Sequence, residues 1–192
     1  MDAPTFNAAD FESQIGRRLL ALRQAQGLSL EALAQRSGVS KAMISRIERA
    51  TSASTATLLG RLAAGLGVAI TDLLAPEAPV MQRLRTRHEQ LVWRDPQVGY
   101  LRRQVAPPEA RNGIELVEIE LPRAARVTYP AWKSRPYSQR LWLVEGSLAI
   151  DYGHESFKLA AGDCLDFGVD RALTYRALGP RGCRYLLVIS PA

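Results

Sequence analysis

Histidine and cysteine are scarce in this chain, two of each among 192 residues. That scarcity removes several kinds of chemistry at the outset. Cys164 and Cys183 do not have the spacing of a metal-binding pair, and a stable disulfide is not expected in a reducing compartment. His88 falls in a connecting region and His154 in a turn, YGHES, so neither is placed to complete a metal site. No apolar run approaches the roughly 20 residues that a membrane-spanning helix needs. The N-terminus lacks the apolar stretch of a secretory signal, so the sequence predicts a cytoplasmic protein with no membrane partner.

Charge, in contrast, is plentiful and of both signs. Lys and Arg number 25 against 19 Asp and Glu, a formal charge of +6, and the isoelectric point is near 9.7. Residues 1–75 carry 8 basic against 6 acidic residues, and residues 76–192 carry 17 against 13. The excess is spread over the chain, so basicity alone is weak support for a nucleic-acid partner. The length permits one or two domains.

Residues 15–74 read as five short helices. Ile15, Leu19 and Leu22 share one face of the first, with Arg17, Arg18 and Arg23 around the rest of the cylinder. Gly27 ends it. Ser29 caps a second helix that buries Leu30, Leu33 and Ala34. Ser37-Gly38-Val39 forms a tight turn, and Ser40 caps a third helix with Ile44 and Ile47 as its buried pair. Thr55 or Thr57 caps a fourth, carrying Leu58, Leu59, Leu62 and Leu66, and a last one, 70–74, stops before Pro76. Two helices joined by such a turn have the layout of a helix-turn-helix, whose second helix enters a DNA major groove. Lys41, Arg46 and Arg49 concentrate positive charge there, and an arginine fork can read guanine. Ser40 and Ser45 are short donors for phosphates or base edges.

The arginine-bearing first helix, the GLSxxxLAxxxGVS run and the following ISRIER resemble the Xre/lambda-repressor class of helix-turn-helix. The resemblance implies that Lys41, Ala42, Ser45, Arg46 and Arg49 form the exposed face of the recognition helix. It also implies an Arg23–Glu48 pair that turns the arginine towards a phosphate. The family has Gly after IER where this chain has Ala50, which predicts a less tightly turned loop.

After residue 74 the composition changes. Ala75-Pro76-Glu77-Ala78-Pro79 reads as a linker. Beyond it, segments 113–121, 140–145, 147–152 and 184–190 read as short strands separated by turn residues, with Glu145-Gly146 and Gly162-Asp163 as tight turns. In the first, Ile114, Leu116 and in places Val117 are set against Glu115, Glu118 and Glu120, which predicts a half-buried strand with the glutamates outside. Pro107-Pro108, Pro122 and Pro130 fall between strands, and an antiparallel barrel or sandwich follows.

The order LWLVEGSLAI…FKLAAGDCLDF resembles the cupin family of small β-barrels. The expected architecture is therefore two domains: an N-terminal all-α five-helix helix-turn-helix bundle and a C-terminal all-β cupin-like (double-stranded β-helix) barrel. The expected boundaries are 1–14 as a flexible lead, 15–75 as the helix-turn-helix, 76–106 as linker and connecting segment, and 107–192 as the barrel. Counted back from Gly146, the family's glutamate position falls on Gln139 and its two histidines on Lys133 and Arg135, or with one residue of slack on Trp132 and Ser134. The histidine of the second motif falls on Leu173. No cofactor is expected with such a set, because lysine and arginine repel a divalent ion.

If Lys133, Arg135 and Gln139 point into the barrel, they surround an anion with donors, and Leu141, Leu173 and Tyr175, with Trp132, Tyr137 and Leu143, supply apolar walls. An acidic small-molecule effector is one expectation; a plainly packed interior is the other. Trp142 alternates with Leu141 and Leu143 and is expected to face outward, as at a dimer interface. Taken together, the residues predict a non-enzymatic, homodimeric DNA-binding transcriptional regulator that recognises a double-stranded operator, with repression by promoter occlusion as the plainer mode. The alternatives are a cupin-type metalloenzyme with an accessory helix-turn-helix and a helix-turn-helix that meets a protein partner.

Overall fold

In the computed structural model, residues 8–74, 83–107, 113–132 and 137–191 are described. The chain divides into two units, Met1–Pro79 and Val80–Ala192.

The first unit is helical: α1 Ala8–Ala25, α2 Leu30–Ser37, α3 Lys41–Glu48, α4 Ala56–Leu66 and α5 Ile70–Leu74. The caps expected from the sequence form. Ser29 accepts from the Ala32 N–H at 3.0 Å, Ser40 from Met43 at 3.3 Å, and Thr55, rather than Thr57, from Leu58 at 3.2 Å. Ile15, Leu19, Leu33, Ile44, Ile47, Leu59 and Leu62 are fully buried, each stabilising the bundle by about 1.5–3 kcal/mol relative to exposure. Leu30 and Ala34, expected inside, are half-buried. One boundary shifts. Residues 8–14, expected as flexible lead, are the first turns of α1, tied down where the Ser54 N–H donates to the Glu12 carboxylate at 3.3 Å.

The second unit is an antiparallel β structure: β1 Val92–Arg94, β2 Leu101–Ala106, β3 Glu115–Leu121, β4 Arg126–Tyr129, β5 Tyr137–Tyr152, β6 Glu155–Ala160, β7 Cys164–Phe167, β8 Leu173–Ala177 and β9 Cys183–Pro191, with a 3-10 turn at Arg87–Glu89. The strands run in the order β1-β2-β3-β9-β5-β8-β4, with β6 and β7 also on β5. The sheet curls on itself into a half-barrel.

Three expectations change here. The segment 76–106 is more than a connector, because β1 and β2 pair within it and continue onto β3. Glu145-Gly146 is not a turn between two strands but a bend inside one 16-residue strand. There the register against β9 shifts between Leu143 and Glu145. The first half of β5 pairs with β7 and β9 and the second half with β6 and β8. Gly146 sits at φ +85°, and a Cβ on it would collide with the Gly182 carbonyl oxygen, so the bend depends on glycine.

The third change concerns β3. Its inward set is Glu115, Val117, Ile119 and Leu121, whereas Ile114 is 41% exposed. The three apolar residues at alternate positions fix the face, and the two-residue period carries Glu115 inside with them.

Candidate nucleic-acid interface and sheet interior

The candidate interface is α3. Ile44 and Ile47 anchor its inner face, leaving Lys41, Ala42 and Arg46 exposed and Ser45 half-buried on the other side. Arg49 is also exposed, but it is the C-cap rather than a helical residue, and its Nε donates back to the Ser45 carbonyl at 3.1 Å. Ser40 is exposed at the N-terminus, its oxygen engaged as the cap.

Several contacts hold α3 in place. Arg23 on α1 grips Glu48 through two hydrogen bonds, Nε to Oε1 at 2.6 Å and Nη2 to Oε2 at 2.9 Å, and donates from Nη1 to the Leu28 carbonyl at 2.8 Å. The pair is largely buried, with side-chain exposures of 13% and 8%. The hydrogen bond to Glu48 raises the Arg23 pKa despite the opposing effect of burial. Arg23 thus serves chiefly to join α1 to α3, with part of its donor set still unused. At the turn, Gly38 takes φ +64°. Arg61 on α4 donates to the Ser37 carbonyl at 3.2 Å and to the Gly38 carbonyl. Ser37 is buried, donating to the Leu33 carbonyl at 2.7 Å and accepting from Val39 at 3.2 Å. Sequence reasoning missed Arg61, which carries no local signal.

The loop after α3 is tight, not loosened. Ala50 adopts φ +54°, the Ala50 N–H donates to the Ile47 carbonyl and the Thr51 N–H to the Arg46 carbonyl, both at 2.9 Å. This is the Schellman arrangement, with alanine in the left-handed position that glycine ordinarily fills.

In the second unit, Gln139, Leu141, Leu173 and Tyr175 are all buried. Of these, Tyr175 and Gln139 meet directly, the phenol donating to Gln139 Oε1 at 3.4 Å. Lys133 and Arg135, the proposed anion donors, lie outside the described residues, as does Ser134. Trp142 faces outward at 49% exposure, opposite Leu186 on β9 and Cys164 on β7.

The interior also holds a polar group that the sequence reading did not find. Arg102 and Glu115 form a buried ion pair at 2.8 Å, with side-chain exposures of 6% and 1%, and Gln104 Nε2 donates to the same Glu115 oxygen at 3.1 Å. Burial opposes the charge on Arg102, but Glu115 and the surrounding Tyr100, Tyr129 and Tyr137 outweigh it and raise its pKa. Burial drives the phenols of Tyr129, Tyr175 and Tyr185 well above their ordinary range, so they are neutral donors at pH 7. The alternation Glu115-Val117-Ile119-Leu121 was the available signal. Among the described residues, no three His, Cys, Asp or Glu side chains come together in a way that could hold a metal ion.

Comparison with known proteins bears on both units. Residues 19–73 match the helix-turn-helix family HTH_3. The HTH-type transcriptional regulator SutR of Escherichia coli (strain K12) is 45% identical over 58 residues, covering 30% of this chain and 33% of SutR. The chain thus aligns with about a third of that relative's length. The crystal structure of an HTH_3 family transcriptional regulator from Vibrio cholerae superposes with a TM-score of 0.78 at 26% identity, covering 97% of this chain and 100% of that one. The Cupin_2 domain of an XRE family transcriptional regulator from Enterobacter cloacae gives a TM-score of 0.45 at 15% identity, over 48% of this chain and 97% of that domain.

Proposed function

We propose, from the premise that the first unit is an Xre-type helix-turn-helix and the second a cupin-like sheet, that this chain is a sequence-specific DNA-binding transcriptional regulator rather than an enzyme. The observation that carries the proposal is the α3 surface: Lys41, Ala42, Ser45 and Arg46 face outward while Ile44 and Ile47 lock the opposite face. A likeness to a Vibrio cholerae transcriptional regulator over nearly the whole chain supports the same reading. A single such helix reads only a few base pairs, so the working form is a homodimer whose two recognition helices fall about 34–36 Å apart. Repression by occlusion of a promoter is the simplest output.

The cupin-like unit serves as a sensor of a small molecule, without metal, and its interior residues Gln139, Leu141, Leu173 and Tyr175 contribute to that site. An acidic class of effector depends on Lys133 and Arg135. An effector shifts DNA occupancy only by the difference in its affinity for the two states of the regulator.

Selection of fragments from a genomic DNA library by the purified full chain, at near-physiological salt, tests the proposal. Enrichment of a short inverted repeat supports a dimeric, site-specific regulator. Recovery of fragments with no shared sequence, with and without small-molecule extract, overturns it.

A further inference from the structure

We infer that the interior of the second unit, along β2, β3, β9 and the start of β5, is a binding site for a small hydrogen-bonding molecule of zero net charge, of the amide or polyol class. The inference rests on the sensor reading above and gives it a ligand chemistry. Of the residues that carry it, Arg102, Gln104 and Glu115 were not among those from which the sequence suggested an anion site, and Trp132 entered there only as an apolar wall.

Two observations point to a missing partner. Gln104 is 5% exposed, and its Oε1 accepts no hydrogen bond from the described residues while its Nε2 is committed to Glu115. Trp132 is 6% exposed, and its Nε1–H has no acceptor among the described residues. Buried polar atoms left in this state are costly, and native interiors satisfy nearly all of them. One acceptor and one donor are therefore available, and a ligand that offers both a donor and an acceptor answers them. The two sites belong to one interior. Gln104 is joined through Glu115 to Arg102, and Trp132 packs edge-on against Tyr137, with ring centroids 6.1 Å apart. Glu115, Ile189 and Gln139 are successive cross-strand partners on β3, β9 and β5, and Tyr137 lies two residues from Gln139 on the same face of β5.

The charge of the ligand follows from the ion pair. Arg102 is already neutralised by Glu115 at 2.8 Å. A dicarboxylate would bring uncompensated negative charge beside Glu115, and burial of an unpaired ion costs several kcal/mol. A neutral amide or polyol carries no such penalty and uses the same orphaned atoms.

The test is NMR of the full chain with four probes of similar size: glutaramide and erythritol as neutral members, glutarate and succinate as anionic ones. The Trp132 indole N–H resonance, identified by its loss in Trp132→Phe, is the reporter. The expected result is a titrating shift of that resonance with at least one neutral probe. Binding should be about tenfold weaker in Gln104→Met, and the carboxylates should be weaker than either neutral probe. Preference for the carboxylates, or no shift of the resonance with any probe, overturns the assignment. Trp132→Phe provides a second variant in which neutral-probe binding, read from the other resonances, should weaken; unchanged binding in both variants contradicts it. Adding the operator separates the two readings. A neutral probe that binds without changing operator affinity removes the sensor role and leaves the site. A carboxylate that binds and changes operator affinity keeps the sensor role and removes this ligand class.

Discussion

Ala50 stands in a backbone conformation that an L-residue adopts at a cost of about 1–2 kcal/mol, because its φ of +54° closes the turn after α3. Glycine pays no Cβ penalty there, though it loses more chain entropy on folding. Ala50→Gly should therefore stabilise the helical unit by about 0.5–1 kcal/mol, read as a rise in the urea midpoint of the helical transition. The cysteines separate in the same residue-level way. Cys183 is buried, and burial pushes its thiol up to about 12, whereas Cys164 is exposed on β7. Since the thiolate is the reactive form, iodoacetamide at pH 8 should label Cys164 in the folded chain and leave Cys183 unmodified. Labelling of Cys183 at a comparable rate would show that its surroundings open readily.

Among the elements, the turn between α2 and α3 is held from outside itself. Arg61 on α4 supplies donors to the Ser37 and Gly38 carbonyls, and a hydrogen bond from a charged group contributes about 1.5–3 kcal/mol. Arg61→Met should destabilise the helical unit by about that amount and weaken operator binding. Arg61→Lys, which retains a donor, should recover part of both, as read by thermal unfolding and DNA titration. The helices were legible in the sequence because local signals agreed: caps at Ser29, Ser40 and Thr55, apolar spacing at Ile15, Leu19, Ile44 and Ile47, and the turn glycine all specify one bundle. The strands were less so. Gly146 reads like a turn, yet long-range pairing of both halves of β5 makes it a bend. Glu115 reads as solvent-facing until Arg102, distant in sequence, supplies its partner. The interior was illegible for the same reason, since β2 lies in a segment with the composition of a connector. Arg61 works through tertiary contact alone, and no spacing announces it.

For the molecule as a whole, the proposed dimer and the proposed reading of DNA stand or fall together. The outward Trp142, 49% exposed opposite Leu186, is the apolar residue most suited to the dimer contact. Trp142→Glu should shift the sedimentation coefficient towards monomer and lower operator affinity, while the sheet remains folded because the side chain is outside its core. The central claim, that α3 is the DNA-reading surface, is tested most directly by titrating an enriched fragment with wild-type chain, Lys41→Ala and Arg46→Ala over a series of salt concentrations. The account predicts wild-type affinity that falls steeply and log-linearly with salt. It predicts for Lys41→Ala a roughly uniform loss across sequences with a shallower slope, and for Arg46→Ala a loss of about 1–3 kcal/mol with relaxed preference at one base position. Wild-type affinity and slope in both variants, with the helical unit intact, would contradict it.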